Sequence, residues 1–182
     1  MRTFIAIELP VYVQEQSVGM IEELKPQFPR RTVRWVRREQ LHLTLAFLGE
    51  TAVSTLPALY QILDKCAYQT KPFTLQLGEM GCFPNCRKPR VLWVGLKGEL
   101  EPLRKLQSDV VRAIKPLGWE PEKRPYSPHL TLGRIKDKKQ HTWRKVTVAK
   151  PTAFTVDAIH LVESKLKPTG AVYTIRHSSQ FE

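Results

Sequence analysis

The chain has 182 residues, of which 42% are hydrophobic and 25% charged, the composition of a globular protein with one domain or one domain of two lobes. No apolar run reaches the roughly 20 residues of a bilayer-spanning helix, which excludes a transmembrane helix. The net charge of +12 favours a polyanionic partner, nucleic acid above all, with ordinary solubilising charge as the alternative.

The N-terminus and the cysteines bear on the cellular compartment. Residues 1–8 form too short an apolar stretch, too acidic at its end, for a signal peptide, so we expect a cytoplasmic protein that begins with a strand. The three cysteines are Cys66, Cys82 and Cys86. Because their number is odd and no export signal precedes them, we expect reduced thiols. No second Cys/His pair stands at zinc spacing beside Cys82 and Cys86, so we expect no metal site.

Hydrophobic periodicity predicts alternating strands and helices in the first half of the chain. The apolar residues recur every second position in the strands and every third or fourth position in the helices. The predicted elements are a strand over 3–8, a helix over 11–24, a short strand over 33–36, a strand over 41–48, a helix over 56–66 and a strand over 73–77.

The second half shows a similar pattern. Its predicted elements are a loop over 78–90, a strand over 91–96, a helix over 100–114, a polar approach over 119–128, a strand over 129–135, a bulged strand over 154–162 and a strand over 171–176. The likeness of the halves predicts an α+β fold, one bilobal domain over 1–182. Two antiparallel-rich sheets, related by a pseudo-two-fold axis, should line a central groove with the helices outside.

One tetrapeptide, His-Leu-Thr-Leu, occurs at residues 42–45 and again at 129–132. Side chains of a strand alternate between its faces, so in each copy the histidine and threonine share one face and the leucines the other. A single His-x-Thr on a half-exposed strand is a common accident. Two copies with matching leucines indicate two strands that bury their leucines and present two imidazoles and two hydroxyls to one groove.

Those side chains suit chemistry at a phosphate. Two imidazoles have unperturbed pKa values near about 6.5, so at neutral pH one can serve as an acid and the other as a base. Threonine hydroxyls are small donors that fit non-bridging phosphate oxygens. The pattern therefore favours acid/base catalysis of a phosphate reaction, and we expect no cofactor.

The paired tetrapeptides resemble the two-histidine phosphoesterase superfamily and, within it, the RNA 2′,3′-cyclic phosphodiesterases, also called 2′-5′ RNA ligase-like proteins. Further matching stretches extend the resemblance over nearly the whole chain: residues 2–7, 35–36, 42–50, 81–84, 89–95, 128–134 and 161–173. The resemblance implies a bilobal α+β fold and a metal-independent enzyme. It implies hydrolysis of RNA ends carrying a 2′,3′-cyclic phosphate, tRNA fragments among them, to a 2′-phosphate and a 3′-hydroxyl.

The resemblance also implies roles for five residues. His42 matches the general acid that protonates the leaving 3′-oxygen, and His129 matches the general base that activates water. Thr44 and Thr131 match the hydroxyls that hold phosphate oxygens. Arg134 matches an arginine that neutralises phosphate charge. The reverse reaction, 2′-5′ joining of RNA ends, uses the same atoms and is expected as a weak activity. We also expect a monomer without a membrane partner.

Two points stay open in the sequence. Arg134 lies five residues after His129, so an ideal strand sends it to the opposite face unless the strand twists, ends or bulges at Gly133. The candidates for an aromatic side chain that stacks on the terminal base are Phe4, Trp35, Phe83 and Tyr126, with core or loop packing as the alternative for each.

The alternatives to the RNA phosphodiesterase are a non-catalytic RNA-binding module and a phosphodiesterase for a small cyclic phosphate such as an ADP-ribose derivative. Both histidines and both threonines are present, which weighs against a module without turnover. The charge of +12 favours a polyanion over a small cyclic phosphate, increasingly so at low salt.

Overall fold

The computed structural model describes all of residues 1–182. It contains three α-helices, nine strands and four single turns of 3-10 helix. The helices are α1 (Val11–Leu24), α2 (Leu56–Tyr68) and α3 (Leu100–Ile114). The strands are β1 (Arg2–Glu8), β2 (Val33–Trp35), β3 (His42–Glu50), β4 (Phe73–Phe83), β5 (Val91–Gly98), β6 (His129–Ile135), β7 (Phe154–Val156), β8 (Ala158–Lys167) and β9 (Gly170–Gln180).

The strands form two antiparallel sheets. The first sheet has the order β3-β1-β8-β9, and the second sheet has the order β2-β6-β5-β4-β7. The chain reaches each histidine strand in the same way. A first strand is followed by a helix, and the histidine strand then pairs with that first strand. β1 and α1 precede β3 in this way, and β5 and α3 precede β6. The predicted α+β fold with two related antiparallel sheets is confirmed.

Both sheets and all three helices contribute to one hydrophobic core. A single cluster of 38 buried residues includes Ile21 of α1, Leu59 of α2 and Leu106 of α3. It also includes Leu43 and Leu130, the leucines that follow the two histidines, and both are fully buried. The alternation of β3 and β6 is therefore fixed by burial, since a register slip of one residue would bring the histidine face into the core.

The predicted loop over 78–90 is wrong in its first half. β4 continues to Phe83 and pairs with β5 beyond a register shift between Leu77 and Met80. Gly78 and Gly81 each lie where a side chain would meet β5. A Cβ at Gly81 would overlap the Trp93 indole, so the glycine permits strand pairing rather than ending it.

The predicted single strand over 154–162 is also wrong. β7 pairs with β4 in the second sheet, and β8 pairs with β1 in the first sheet. The chain crosses from one sheet to the other at Asp157. The break in the alternation of apolar residues, where the sequence predicts a bulge, marks this crossing.

The expectation of three reduced thiols is wrong for two of them. Cys82 and Cys86 form a disulfide, whereas Cys66 is a buried free thiol. The turn that follows β4 brings Cys86 back to the strand end, a proximity that the odd number of cysteines did not indicate. No cluster of three histidine, cysteine or acidic side chains could hold a metal ion, and none of the helices is long and apolar enough to cross a membrane.

Candidate active site

His42 and His129 occupy equivalent positions, since each is the first residue of its strand. Each imidazole is also held in the same way. Nδ1 of His42 lies 2.7 Å from the carbonyl oxygen of Gln40, and Nδ1 of His129 lies 2.6 Å from that of Ser127. A carbonyl only accepts, so each Nδ1 carries the proton that it donates. In each ring Nε2 is therefore the nitrogen that can accept or donate a proton in a reaction.

Two aromatic rings from other strands hold His42. The Phe4 ring on β1 lies 4.7 Å from the imidazole centroid, and the Tyr173 ring on β9 meets it edge-on at 5.3 Å. The β8–β9 hairpin is anchored beside His42, because the Gln40 side chain donates a hydrogen bond of 2.7 Å to the Ala171 carbonyl. Gln40 thus orients the histidine through its backbone and places the hairpin through its side chain.

His129 has a matching aromatic environment in the second sheet. Phe83 of β4 meets the imidazole edge-on at 4.9 Å, and the Trp93 indole of β5 lies at 5.9 Å. Trp93 also packs against Phe83 and covers Gly81. Each histidine is therefore fixed by one backbone carbonyl and two rings from neighbouring strands.

Burial lowers the pKa of both histidines. Desolvation is the main cause at His42, opposed by the hydrogen bond to Gln40. Desolvation also lowers the pKa of His129, opposed by the bond to Ser127 and assisted by the positive charge of Arg134. Both imidazoles are therefore neutral near pH 7 in the free protein, each with an unprotonated Nε2.

Thr44 and Thr131 lie where the alternation predicts. Each is half-buried, two residues beyond its histidine and between two buried leucines. Thr44 pairs with Ala6 of β1, and Thr131 pairs with Trp93 of β5. Each threonine therefore lies on the same face of its strand as the histidine.

Arg134 reaches the histidine face because β6 bulges. Gly133 pairs with Leu92 and Thr131 pairs with Trp93, so Leu132 is an extra residue that shifts the alternation. Arg134 is consequently exposed. Its charge lowers the pKa of His129 and opposes the burial that raises the pKa of Tyr173.

Arg134 also connects the surroundings of the two histidines. It acts on His129 of the second sheet and on Tyr173 of the first sheet, and Tyr173 touches His42. β3 and β6 contact each other, so the strands that carry the two copies of the tetrapeptide are neighbours.

Side chains between α3 and β6 cover the free edge of β3. Tyr126 Oη donates to the Thr44 carbonyl at 3.0 Å, and Trp119 Nε1 donates to the Leu48 carbonyl at 2.7 Å. β3 is an edge strand of the first sheet, and these donors satisfy carbonyls that would otherwise lack partners. They also connect the segment that leads into β6 with β3.

The four aromatic candidates for base stacking fall into two groups. Phe4 and Phe83 contact the imidazoles, whereas Trp35 packs against Phe28 in the core and Tyr126 has its hydroxyl on the Thr44 carbonyl. The sequence reasoning missed Trp93 and Tyr173 as neighbours of the histidines. Both residues lie in the matching stretches, but their contacts depend on strand pairing that no local pattern specifies.

Solved structures share this fold. Escherichia coli LigT in complex with 3′-AMP superimposes with a TM-score of 0.82 at 27% identity, covering 99% of this chain and 97% of LigT. The RNA 2′,3′-cyclic phosphodiesterase of Archaeoglobus fulgidus is 33% identical over 95% of this chain and 96% of its own length. The protein of the same name from Thermus thermophilus is 34% identical over 96% of this chain and 87% of its own length.

The fold and the paired histidine strands thus define a phosphoesterase of the two-histidine class. The family model of the 2′-5′ RNA ligase superfamily matches residues 12–168, and the chain belongs to that superfamily. The family resemblance expected from the sequence is confirmed.

Proposed function

We propose that this protein hydrolyses 2′,3′-cyclic phosphate ends of RNA to a 2′-phosphate and a 3′-hydroxyl. The observation that carries the proposal is the matched pair of imidazoles. Each is pinned through Nδ1 to the carbonyl two residues before it, and each has Nε2 free at the head of a strand. Relatives named for this activity are about one-third identical over nearly the whole chain.

The proposed reaction is an in-line displacement at phosphorus. Nε2 of His129 takes a proton from water as its oxygen bonds to phosphorus. The bond between phosphorus and the 3′-oxygen breaks, and Nε2–H of His42 donates a proton to that oxygen. The 2′-oxygen keeps the phosphate. The enzyme ends with His42 neutral and His129 protonated, and exchange with water restores the starting state.

The acid role requires a protonated His42, although burial lowers its pKa in the free protein. A bound phosphate anion beside the ring raises that pKa, since an opposite charge within a few ångströms favours the charged imidazole. We propose that Thr44, Thr131 and Arg134 hold the anion there. Their hydrogen bonds and positive charge stabilise the extra negative charge of the transition state.

Further parts of the proposal come from the family resemblance of the sequence. The enzyme acts without a metal ion, and tRNA fragments are among its substrates. Microscopic reversibility gives it weak 2′-5′ joining activity. A monomeric state and a cytoplasmic location stay predictions.

The test replaces each histidine singly with alanine and follows turnover of an oligonucleotide with a 2′,3′-cyclic phosphate end. We expect kcat to fall about 10²–10⁴-fold in each variant, the usual contribution of a proton-transfer residue. The matched control is His177→Ala, because His177 lies away from both histidines, hydrogen-bonded to Asp64 of α2. Parental turnover in both His42→Ala and His129→Ala would rule out the proposed function.

A further inference from the structure

Arg34 lies directly opposite Arg134. The two residues are paired across the antiparallel strands β2 and β6. Residues opposite each other in such a pair share a face of the sheet and have Cβ atoms only about 4.5–5.5 Å apart. Both side chains are exposed. Val33 and Trp35, the neighbours of Arg34 on β2, contact Gly133 on the opposite face. Arg34 therefore lies on the same face of the sheet as Arg134, whose charge lowers the pKa of His129.

This pairing costs stability in the free protein, since like charges directly opposite on a sheet repel. No carboxylate offsets the repulsion, because neither the Arg34 nor the Arg134 side chain has a hydrogen bond or a salt bridge within the protein. Other arginines nearby are engaged: Arg37 with Glu39, Arg38 with Glu15, and Arg90 with the carbonyl of Asp137. Two adjacent unpartnered guanidiniums are an arrangement that an anion would stabilise.

The positive face continues beyond this pair. Lys136 lies two residues after Arg134, and its backbone N–H bonds to the carbonyl of Thr32, which extends the pairing of β2 and β6. Lys136 is exposed and has no ionic partner. Arg134, Arg34 and Lys136 thus form a group of exposed cations at the far end of β6, the strand that begins with His129.

We infer that Arg34 binds the phosphodiester on the 5′ side of the terminal nucleoside, while Arg134 binds the cyclic phosphate itself. This inference rests on the proposed function and specifies its substrate as an oligonucleotide of two or more nucleotides. The guanidinium is suited to the contact, because its planar fork can donate two hydrogen bonds to the oxygens of one phosphate. A cyclic mononucleotide has no second phosphate and gains nothing from Arg34.

The experiment compares 2′,3′-cyclic AMP with a trinucleotide that ends in a 2′,3′-cyclic phosphate. In Arg34→Ala we expect KM for the trinucleotide to rise about tenfold, with kcat unchanged within twofold. Both constants for 2′,3′-cyclic AMP should stay within twofold of the parent, which also shows that the variant is folded. Arg34→Lys keeps the charge without the fork and should recover part of the loss.

The salt dependence gives a second readout. Removal of one phosphate contact should make the plot of log KM for the trinucleotide against log salt shallower by about 0.7, the value for one contact to a single strand. The control is Arg144→Ala, which removes an equal charge from an exposed position beside Gln27 of the turn after α1. It should leave the selectivity between the two substrates unchanged.

The inference is overturned if Arg34→Ala raises KM equally for both substrates or for neither of them. A parent that hydrolyses neither substrate contradicts the proposed function instead. In that case fluorescence anisotropy with the labelled trinucleotide still tests whether Arg34 binds the RNA. The affinity for the trinucleotide should fall about tenfold in Arg34→Ala and stay at the parental value in Arg144→Ala. Equal binding by the two variants would overturn the inference.

Discussion

The hydroxyl of Tyr126 donates a hydrogen bond of 3.0 Å to the backbone carbonyl of Thr44. The segment that leads into one histidine strand is thereby attached to the other histidine strand, two residues beyond its imidazole. The side chain is half-buried, and its burial raises the pKa of Tyr126, so the hydroxyl stays a donor throughout the neutral range. This contact, together with that of Trp119 to the Leu48 carbonyl, fixes the position of one tetrapeptide relative to the other.

Replacement of Tyr126 by phenylalanine should therefore affect stability and activity together. The Thr44 carbonyl loses its donor, and an unsatisfied polar group in a buried setting costs roughly 1–3 kcal/mol. Urea denaturation should show a loss in that range, and kcat should fall because the two strands are less firmly held. Tyr68→Phe is the matched control, since Tyr68 is 66% exposed and its hydroxyl has no partner. A Tyr126→Phe protein as stable and active as the parent would show that this contact does not hold the site together.

The pH dependence of kcat/KM should be bell-shaped, with both limbs set by histidines. In the proposed mechanism activity requires His129 neutral, so the acid limb reports its pKa, which burial and Arg134 lower. It requires His42 protonated, so the alkaline limb reports the pKa of His42, which burial lowers in the free enzyme. The optimum should consequently lie on the acid side of that expected from two exposed imidazoles.

Arg134→Gln should move one limb of that profile. Loss of the positive charge raises the pKa of His129, so the acid limb should shift to higher pH. The alkaline limb should move less, and the maximum rate should fall because a phosphate ligand is lost. Arg144→Gln should leave the profile unchanged. An acid limb that stays in place or moves to lower pH would contradict the assignment of His129 as the base.

Gly81→Ala should destabilise the second sheet. The new Cβ would overlap the Trp93 indole, which must then move away from His129. Overpacking of this kind costs about 1–3 kcal/mol. Gly19→Ala is the contrasting variant, because nothing lies within 4 Å of its Cβ position and Gly19 is inside α1. It should stabilise the protein by about 0.5–1 kcal/mol. Chemical denaturation of both variants measures the difference, and equal effects would contradict the packing assigned to Trp93.

The outer face of the first sheet should lose stability in acid. Hydrogen bonds from Ser179 and from His177 lower the pKa of Asp64, which joins α2 to β9. A lowered folded-state pKa gives stability that is present above the unfolded-state pKa of about 3.9 and is lost as the pH falls through the folded value. Asp64→Asn should flatten the decline of the melting temperature below pH 4. An unchanged slope would show that this carboxylate contributes nothing to acid sensitivity.

The sequence was most informative where one face of a strand is buried. The repeated leucines predicted the faces of His42 and His129, because a buried ridge of Leu43 or Leu130 leaves only one orientation for the imidazoles. The same reasoning could not place Arg134, since one extra residue in β6 reverses the alternation beyond Thr131. A bulge arises from pairing with β5, and that pairing is not visible in β6 itself.

Long-range contacts account for the other differences. Trp93 and Tyr173 reach the histidines only through sheet pairing and the curl of the β8–β9 hairpin. The disulfide between Cys82 and Cys86 depends on the turn after β4, and cysteine number alone did not predict it. Composition and periodicity specify which side chains are buried, but they do not specify which strands become neighbours.

The position of β1 between β3 and β8 has a consequence for synthesis of the chain. β1 and β3 leave the ribosome early and can pair at once, but the other edge of β1 stays open until residues beyond Ala158 emerge. That edge belongs to an apolar strand, and open apolar edges attract other chains. The nascent protein should thus be most prone to aggregation before β8 is made, and chaperone dependence should end with the arrival of that strand.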